Sequence, residues 1–174
     1  MGASSQLAAA QGAVLALLGA AYIRRDRVGL VAFRGEQASV LLAPTASVEL
    51  ARKKLRRLSS GGATPFADGL LKAWKIIRAE KLKSSSRETV LVVVSDGEAN
   101  VPLTPGANKL AEIKKLGSLI RAEGVRVVFV DSGPQEAENP EAAEAAAALG
   151  ADYRRITRPG SRDLVEAAAQ RKAT

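Results

Sequence analysis

Neither cysteine nor histidine occurs in the 174 residues, and aromatic residues make up only 3% of them. The lack of cysteine removes disulfides, thiolate zinc sites and thiol nucleophiles together, and leaves an intracellular, cytoplasmic protein as the easier expectation. The lack of histidine excludes hydrolytic triads built on an imidazole base and most zinc or haem sites, so any metal must be a hard cation held by oxygens. So few rings cannot wall a large cofactor pocket or offer stacking platforms to single-stranded nucleic acid. Long apolar runs are missing as well. The stretch from Leu7 to Ile23 is broken by Gln11, Gly12 and Gly19 and has no basic leader, which suits neither a signal peptide nor a membrane span.

What is present is an apolar content of 47%, mostly Ala, Val and Leu, enough for the core of one ordinary domain covering residues 1–174. The net charge of +8 raises the question of nucleic acid. Its Lys and Arg are spread over several helices without interleaved aromatics, the pattern of solvated faces, and no nucleic-acid partner is expected.

Helical spacing of Leu7, Ala10, Val14, Leu17, Leu18, Ala21 and Tyr22 predicts a long helix from Ser4 to Arg24 with one buried stripe. Residues Arg27 to Phe33 and Ala38 to Leu42, the second run closed by Ala43-Pro44, predict an antiparallel strand pair around Arg34-Gly35. A helix over Ser47 to Leu58 should bury Val48, Leu50, Leu55 and Leu58. Its Lys53, Lys54, Arg56 and Arg57 face water. After the loop Ser59 to Thr64, Pro65 suits the first position of a helix ending near Leu82. Glu88 to Val94 and Val125 to Val130 show no alternation, the mark of strands covered on both faces. Between them a helix spans Asn108 to Glu123. Beyond them come a helix over Glu141 to Leu149, an edge strand over Asp152 to Ile156 and a last helix over Arg162 to Lys172. This alternation predicts an α/β fold, a Rossmann-like and mostly parallel sheet with helices on both faces, whose ligands sit beyond the carboxyl ends of the strands.

Two motifs place oxygen ligands at that edge: Gly61-Gly62-Ala63-Thr64-Pro65 and Val94-Ser95-Asp96-Gly97-Glu98. Gly61-Gly62 is not a phosphate loop, because no Gly-Lys-Ser/Thr follows, so ATP hydrolysis by this chain is not expected. Asp131 could reach the same edge, or simply start the Ser132-Gly133-Pro134 turn. Asp26, between arginines, reads as a turn residue or an ion-pair partner.

The two motifs resemble the second and third elements of the metal-ion-dependent adhesion site (MIDAS) of von Willebrand factor A (VWA) domains. The run Arg24 to Gly35, then Leu41 to Thr45, then GGATP and VVVSDGEAN, narrows the resemblance to the carboxy-terminal domain of the magnesium-chelatase D subunit. The resemblance implies magnesium as cofactor, with metal ligands Thr64 through its hydroxyl and Asp96 through its carboxylate, directly or by way of water. It also implies an upstream DxSxS, which occurs nowhere in the chain. The domain is therefore expected to be incomplete at its N-terminus and to lack the usual first central strand. Ser4 and Ser5 could imitate the missing serines or cap the first helix. The strands flanking the missing one, Val28 to Phe33 and Val90 to Val94, are expected to close the gap or to pair between chains, as in a homo-oligomer.

The function the resemblance implies is a non-catalytic interaction module for tetrapyrrole biosynthesis. It would dock an AAA+ ATPase subunit or the large chelatase subunit in an ATP-dependent metal-insertion complex, with no catalysis by this chain alone. The alternatives are a stand-alone VWA protein with an unrelated partner, or a small metal-dependent α/β hydrolase using Asp96. Apart from Glu98 and distant lysines, no acid/base partner for the last is evident.

Overall fold

The computed structural model describes residues 2–57, 62–99, 101–133 and 139–155. In chain order the elements are α1 (Gly2–Arg24), β1 (Val28–Arg34), β2 (Gln37–Thr45), α2 (Val48–Leu55), α3 (Phe66–Lys83), β3 (Val90–Ser95), α4 (Lys109–Ala122), β4 (Arg126–Asp131), α5 (Pro140–Leu149) and β5 (Asp152–Arg155). The expected helix over Arg162 to Lys172 lies outside the described residues, as does Ile156.

Strands β3, β4 and β5 form a parallel sheet in that order, with Ser95, Asp131 and Arg155 side by side at its carboxyl end. Period-two geometry sends successive β4 side chains to opposite faces. Val127 and Phe129 join a core with Phe66, Leu70 and Ile77 of α3, Ile113, Leu116 and Ile120 of α4, and Ala142, Ala145, Ala146 and Leu149 of α5. Val128 and Val130 meet Ala13 of α1 on the other face. Both faces are thus covered, which is why these strands read as unbroken apolar runs.

The pair β1–β2 is antiparallel and forms a separate two-stranded sheet. Val28 and Leu30 of β1 pack with Leu18 of α1 and with Val48, Ala51 and Leu55 of α2. Phe33 turns the other way, against Phe66 at the start of α3, with ring centroids 5.3 Å apart in an edge-to-face arrangement. The hairpin and the parallel sheet therefore share α1 on one face and α3 on the other without a ladder between β1 and β3. The expected closure of this gap does not occur. Helix side chains set the spacing: Phe66 also reaches Phe129 at 6.2 Å, so it bridges the two sheets from one face. Ala13 and Leu18 carry α1 across the other.

Several expected details differ. Strand β2 continues through Ala43-Pro44 to Thr45. It pairs only with β1, so proline costs it no ladder bond, and the register slips there, with Val28 opposite Thr45 and Leu30 opposite Leu42. Tyr22 is 67% exposed, not part of the buried stripe of α1, which among the described side chains holds Ala13, Leu18 and Ala21. Leu50 is 44% exposed because the inward positions of α2 are Val48, Ala51 and Leu55, spaced by three and four, and Leu50 falls off that line. Leu58 lies outside the described residues. Since α1 already begins at Gly2, Ser4 and Ser5 lie inside its first turn and do not precede it as caps.

Candidate functional site

Asp96 is the first residue beyond β3, at the carboxyl edge of the parallel sheet, and is half-buried. Its Oδ1 accepts the Glu98 amide at 3.2 Å, a local turn that directs the carboxylate back over its own loop. Its Oδ2 has no hydrogen-bond partner among the described residues. The neighbouring Ser95 is buried, and its hydroxyl oxygen accepts the Gly97 amide at 3.1 Å. Gly97 has φ +88°, and a Cβ there would run into the backbone of Glu141 and Ala142 at the start of α5. The Asp96 loop is therefore pressed against α5, and only glycine permits the approach.

Thr64 lies on the loop that enters α3, half-buried, followed by buried Pro65, which is the residue just before the helix. The loop is stitched to the carboxyl end of β1: the Gly35 amide donates to the Ala63 carbonyl at 2.7 Å. Phe66, two residues on, is anchored between Phe33 and Phe129. The Thr64 loop thus meets the end of β1 in the two-stranded sheet, and Asp96 follows β3 in the parallel sheet.

A hard divalent cation asks for oxygen donors in a near-octahedral shell and keeps waters for the positions that protein leaves open. The hydroxyl of Thr64 and the carboxylate of Asp96 fit that demand in kind. Among the described residues no group of three or more acidic side chains is placed to hold a metal ion. Beside the Asp96 loop runs a groove of about 340 Å3 lined by Glu98, Lys109, Leu110, Ile113, Glu141 and Glu144.

Of the two readings of Asp131, the structure bears out the turn. Its side chain is fully buried at the end of β4. It starts the turn by accepting the Gly133 amide at 2.8 Å, and it also takes the Nδ2 of Asn139 at 2.9 Å and the Tyr153 hydroxyl at 2.6 Å. Burial, followed by the hydrogen bond to this carboxylate, pushes the Tyr153 phenol up to about 12. Asn139 then reaches the Asp96 carbonyl at 2.7 Å. Sequence reasoning missed Asn139 and Tyr153. Asn before Pro140 is a readable helix start, and Asn139 does cap α5 by accepting the Ala142 amide at 3.2 Å, but nothing in the sequence marks its second task.

Away from this edge, Asp68 in the first turn of α3 binds the Ala38 amide at 2.7 Å and Lys72 at 2.6 Å, tying α3 to β2. Asp26 pairs with Arg24 at 2.8 Å, as an ion-pair partner should.

Comparison with known proteins adds to this geometry. The chain is 35% identical to the magnesium-chelatase 67 kDa subunit of Chlorobaculum tepidum over 95% of its own length, which is 28% of that subunit. It is 36% identical to an uncharacterized protein of Methanocaldococcus jannaschii, covering 78% of this chain and 76% of that one. Among solved structures, a von Willebrand factor type A protein from Catenulispora acidiphila superposes with a TM-score of 0.66 at 20% identity, over 94% of this chain and 37% of that one. The chain spans only about a quarter of the chelatase subunits it matches. The sequence model of the von Willebrand factor type A domain matches residues 1–98, from α1 through the Asp96 loop, and with the α/β architecture this places the chain in the von Willebrand factor type A family.

Proposed function

We propose that this chain is a single-domain, non-catalytic interaction module of a magnesium-chelatase-like subunit, docking a partner protein through a hydrated magnesium ion held by Thr64 and Asp96. The observation that carries this reading is the Asp96 carboxylate: it stands at the carboxyl edge of the parallel sheet with Oδ2 uncommitted, on a loop fixed by Ser95 and Gly97. A partner's carboxylate, completing the shell of the ion, would make docking depend on both metal and charge. The similarity to chelatase subunits supports an AAA+ ATPase subunit or the large chelatase subunit as that partner.

The hydrolase alternative is weaker on physical grounds. A nucleophilic or base role for Asp96 needs an acid/base or electrophilic group beside it. The other polar side chains of its loop are the buried Ser95 hydroxyl, which accepts the Gly97 amide, and the exposed Glu98. Nor does the groove alongside wrap a substrate; its lining carries three glutamates and one lysine over a small apolar floor.

The test is a magnesium titration followed by amide resonances, paired with a phosphatase-substrate screen. Gly97 and Glu98 should shift with magnesium, weakly in affinity, and Asp96→Ala should abolish the response. Neither protein should turn over substrate. Turnover by the wild type that is lost in Asp96→Ala would replace the docking reading with the hydrolase.

A further inference from the structure

The docking role makes no use of Asp131, yet a carboxylate taken wholly out of water survives only if its lone pairs are met. Here they are met mostly by neutral groups. Oδ1 accepts the Gly133 amide and Asn139 Nδ2, Oδ2 accepts the Tyr153 hydroxyl, and the nearest cation, Arg155, keeps its Nε 4.0 Å away. Arg155 lies on β5, directly opposite Asp131 in the ladder.

Asn139 is the hub of this arrangement. Its amide nitrogen has two protons, and both are used: one on Asp131 Oδ1 at 2.9 Å, the other on the Asp96 carbonyl at 2.7 Å. Its amide oxygen accepts the Ala142 amide at 3.2 Å. A flipped amide would set oxygen against both acceptors and NH2 against a backbone N–H, so the network fixes its orientation. One side chain thereby joins the end of β4, the Asp96 loop and the first turn of α5. The contact of Gly97 with Glu141 and Ala142 backs the same junction sterically.

We infer that Asn139, oriented by buried Asp131, is a positioning residue for Asp96: it grips the Asp96 carbonyl and so sets the direction in which the adjoining carboxylate leaves the sheet edge. Displacement of the α5 start would be felt at that carbonyl. The inference rests on the assignment of Asp96 to a metal-dependent docking face, but the clamp itself can be tested without metal.

The experiment compares Asn139→Ser with Asn108→Ser in the full chain. Serine is as good a helix cap as asparagine, so both variants keep a cap oxygen. Asn108 caps α4 by accepting the Ala111 amide at 3.0 Å and makes no bond to the Asp96 loop, so it controls for capping. Only Asn139→Ser gives up the reach to Asp96 and Asp131. Expected is amide exchange about tenfold faster at Gly97, with Val92 and Val128 unchanged, and a magnesium response about tenfold weaker, the ratio that loss of one net hydrogen bond implies. Asn108→Ser should change neither. Wild-type exchange at Gly97 in Asn139→Ser, or acceleration spread equally through β3 and β4, overturns the inference. An absent magnesium response in the wild type would remove the docking reading, and the exchange comparison alone would then decide the clamp.

Discussion

Replacing Gly97 by alanine tests the junction between the Asp96 loop and α5. Two costs add. At φ +88° an L side chain meets its own backbone, which costs about 1–2 kcal/mol. The new methyl group would also lie 2.6 Å from the carbonyl carbon of Glu141 and still nearer the backbone of Ala142, so α5 must retreat or the loop must bend. Overpacking of this kind costs roughly 1–3 kcal/mol. The sum is about 3 kcal/mol, a large part of the ~5–15 kcal/mol that holds an ordinary domain together. Gly35→Ala supplies the comparison, since its φ is +74° and a Cβ there meets nothing within 4 Å. It bears the backbone strain alone. For a chain of this size each kcal/mol moves Tm by about 2–4 °C, so Gly97→Ala should melt roughly 6–12 °C lower and Gly35→Ala, at about 1.5 kcal/mol, roughly 3–6 °C lower. Circular dichroism melts and urea titrations measure both. Equal losses in the two variants would mean that Gly97 serves only its turn, and would refute the contact with α5.

Two further outcomes follow from the same edge and from the break between the sheets. The Tyr153 phenol is raised to about 12, so the folded state holds its proton more tightly than the unfolded chain. This contribution to stability is complete below the ordinary tyrosine value near 10 and is lost as pH rises through about 12; in Tyr153→Phe the alkaline decline over that window should be smaller, and an unchanged decline would remove the Tyr153–Asp131 bond from the account. Because among the described residues β1 bonds only to β2 and β3 only to β4, amides of β1 and β3 on the edges that face the break should exchange faster than alternate amides inside the ladders, and uniform protection along β3 would show that its open edge is paired.

The parts of the fold that were legible in the sequence are those where one local pattern had one physical solution. Glu88 to Val94 and Val125 to Val130 carry the unbroken apolar stretches Val90 to Val94 and Val127 to Val130 because both faces of the sheet are covered; β3 begins two residues later than expected and β4 one, and each ends one residue later. Pro65 marked the start of α3, and the residues before it the stitched loop. The placements that went astray depended on tertiary context. Tyr22 follows the helical spacing of α1 but projects where no element covers it. Pro44 would end a central strand and is harmless on the edge strand β2. The separation of β1 from β3 is set by helices reaching both sheets, with Phe66 bridging Phe33 and Phe129, and no pairing rule of the strands themselves foretells it. At the candidate site, Thr64 and Asp96 were visible as motif residues. The Asn139 junction was not, because it joins residues 43 positions apart through a side chain whose local sequence already explained it as a cap.

The central claim is metal-dependent docking through Asp96, and the most direct measurement is binding of the full chain to a chelatase AAA+ ATPase subunit in magnesium, in chelator, and with Asp96→Ala. Binding in magnesium is expected to be lost in chelator and lost in Asp96→Ala, while the melting curve of Asp96→Ala in chelator stays close to that of the wild type in chelator because a half-buried loop carboxylate with one local hydrogen bond contributes little to the core. Binding of equal strength in all three conditions would contradict it.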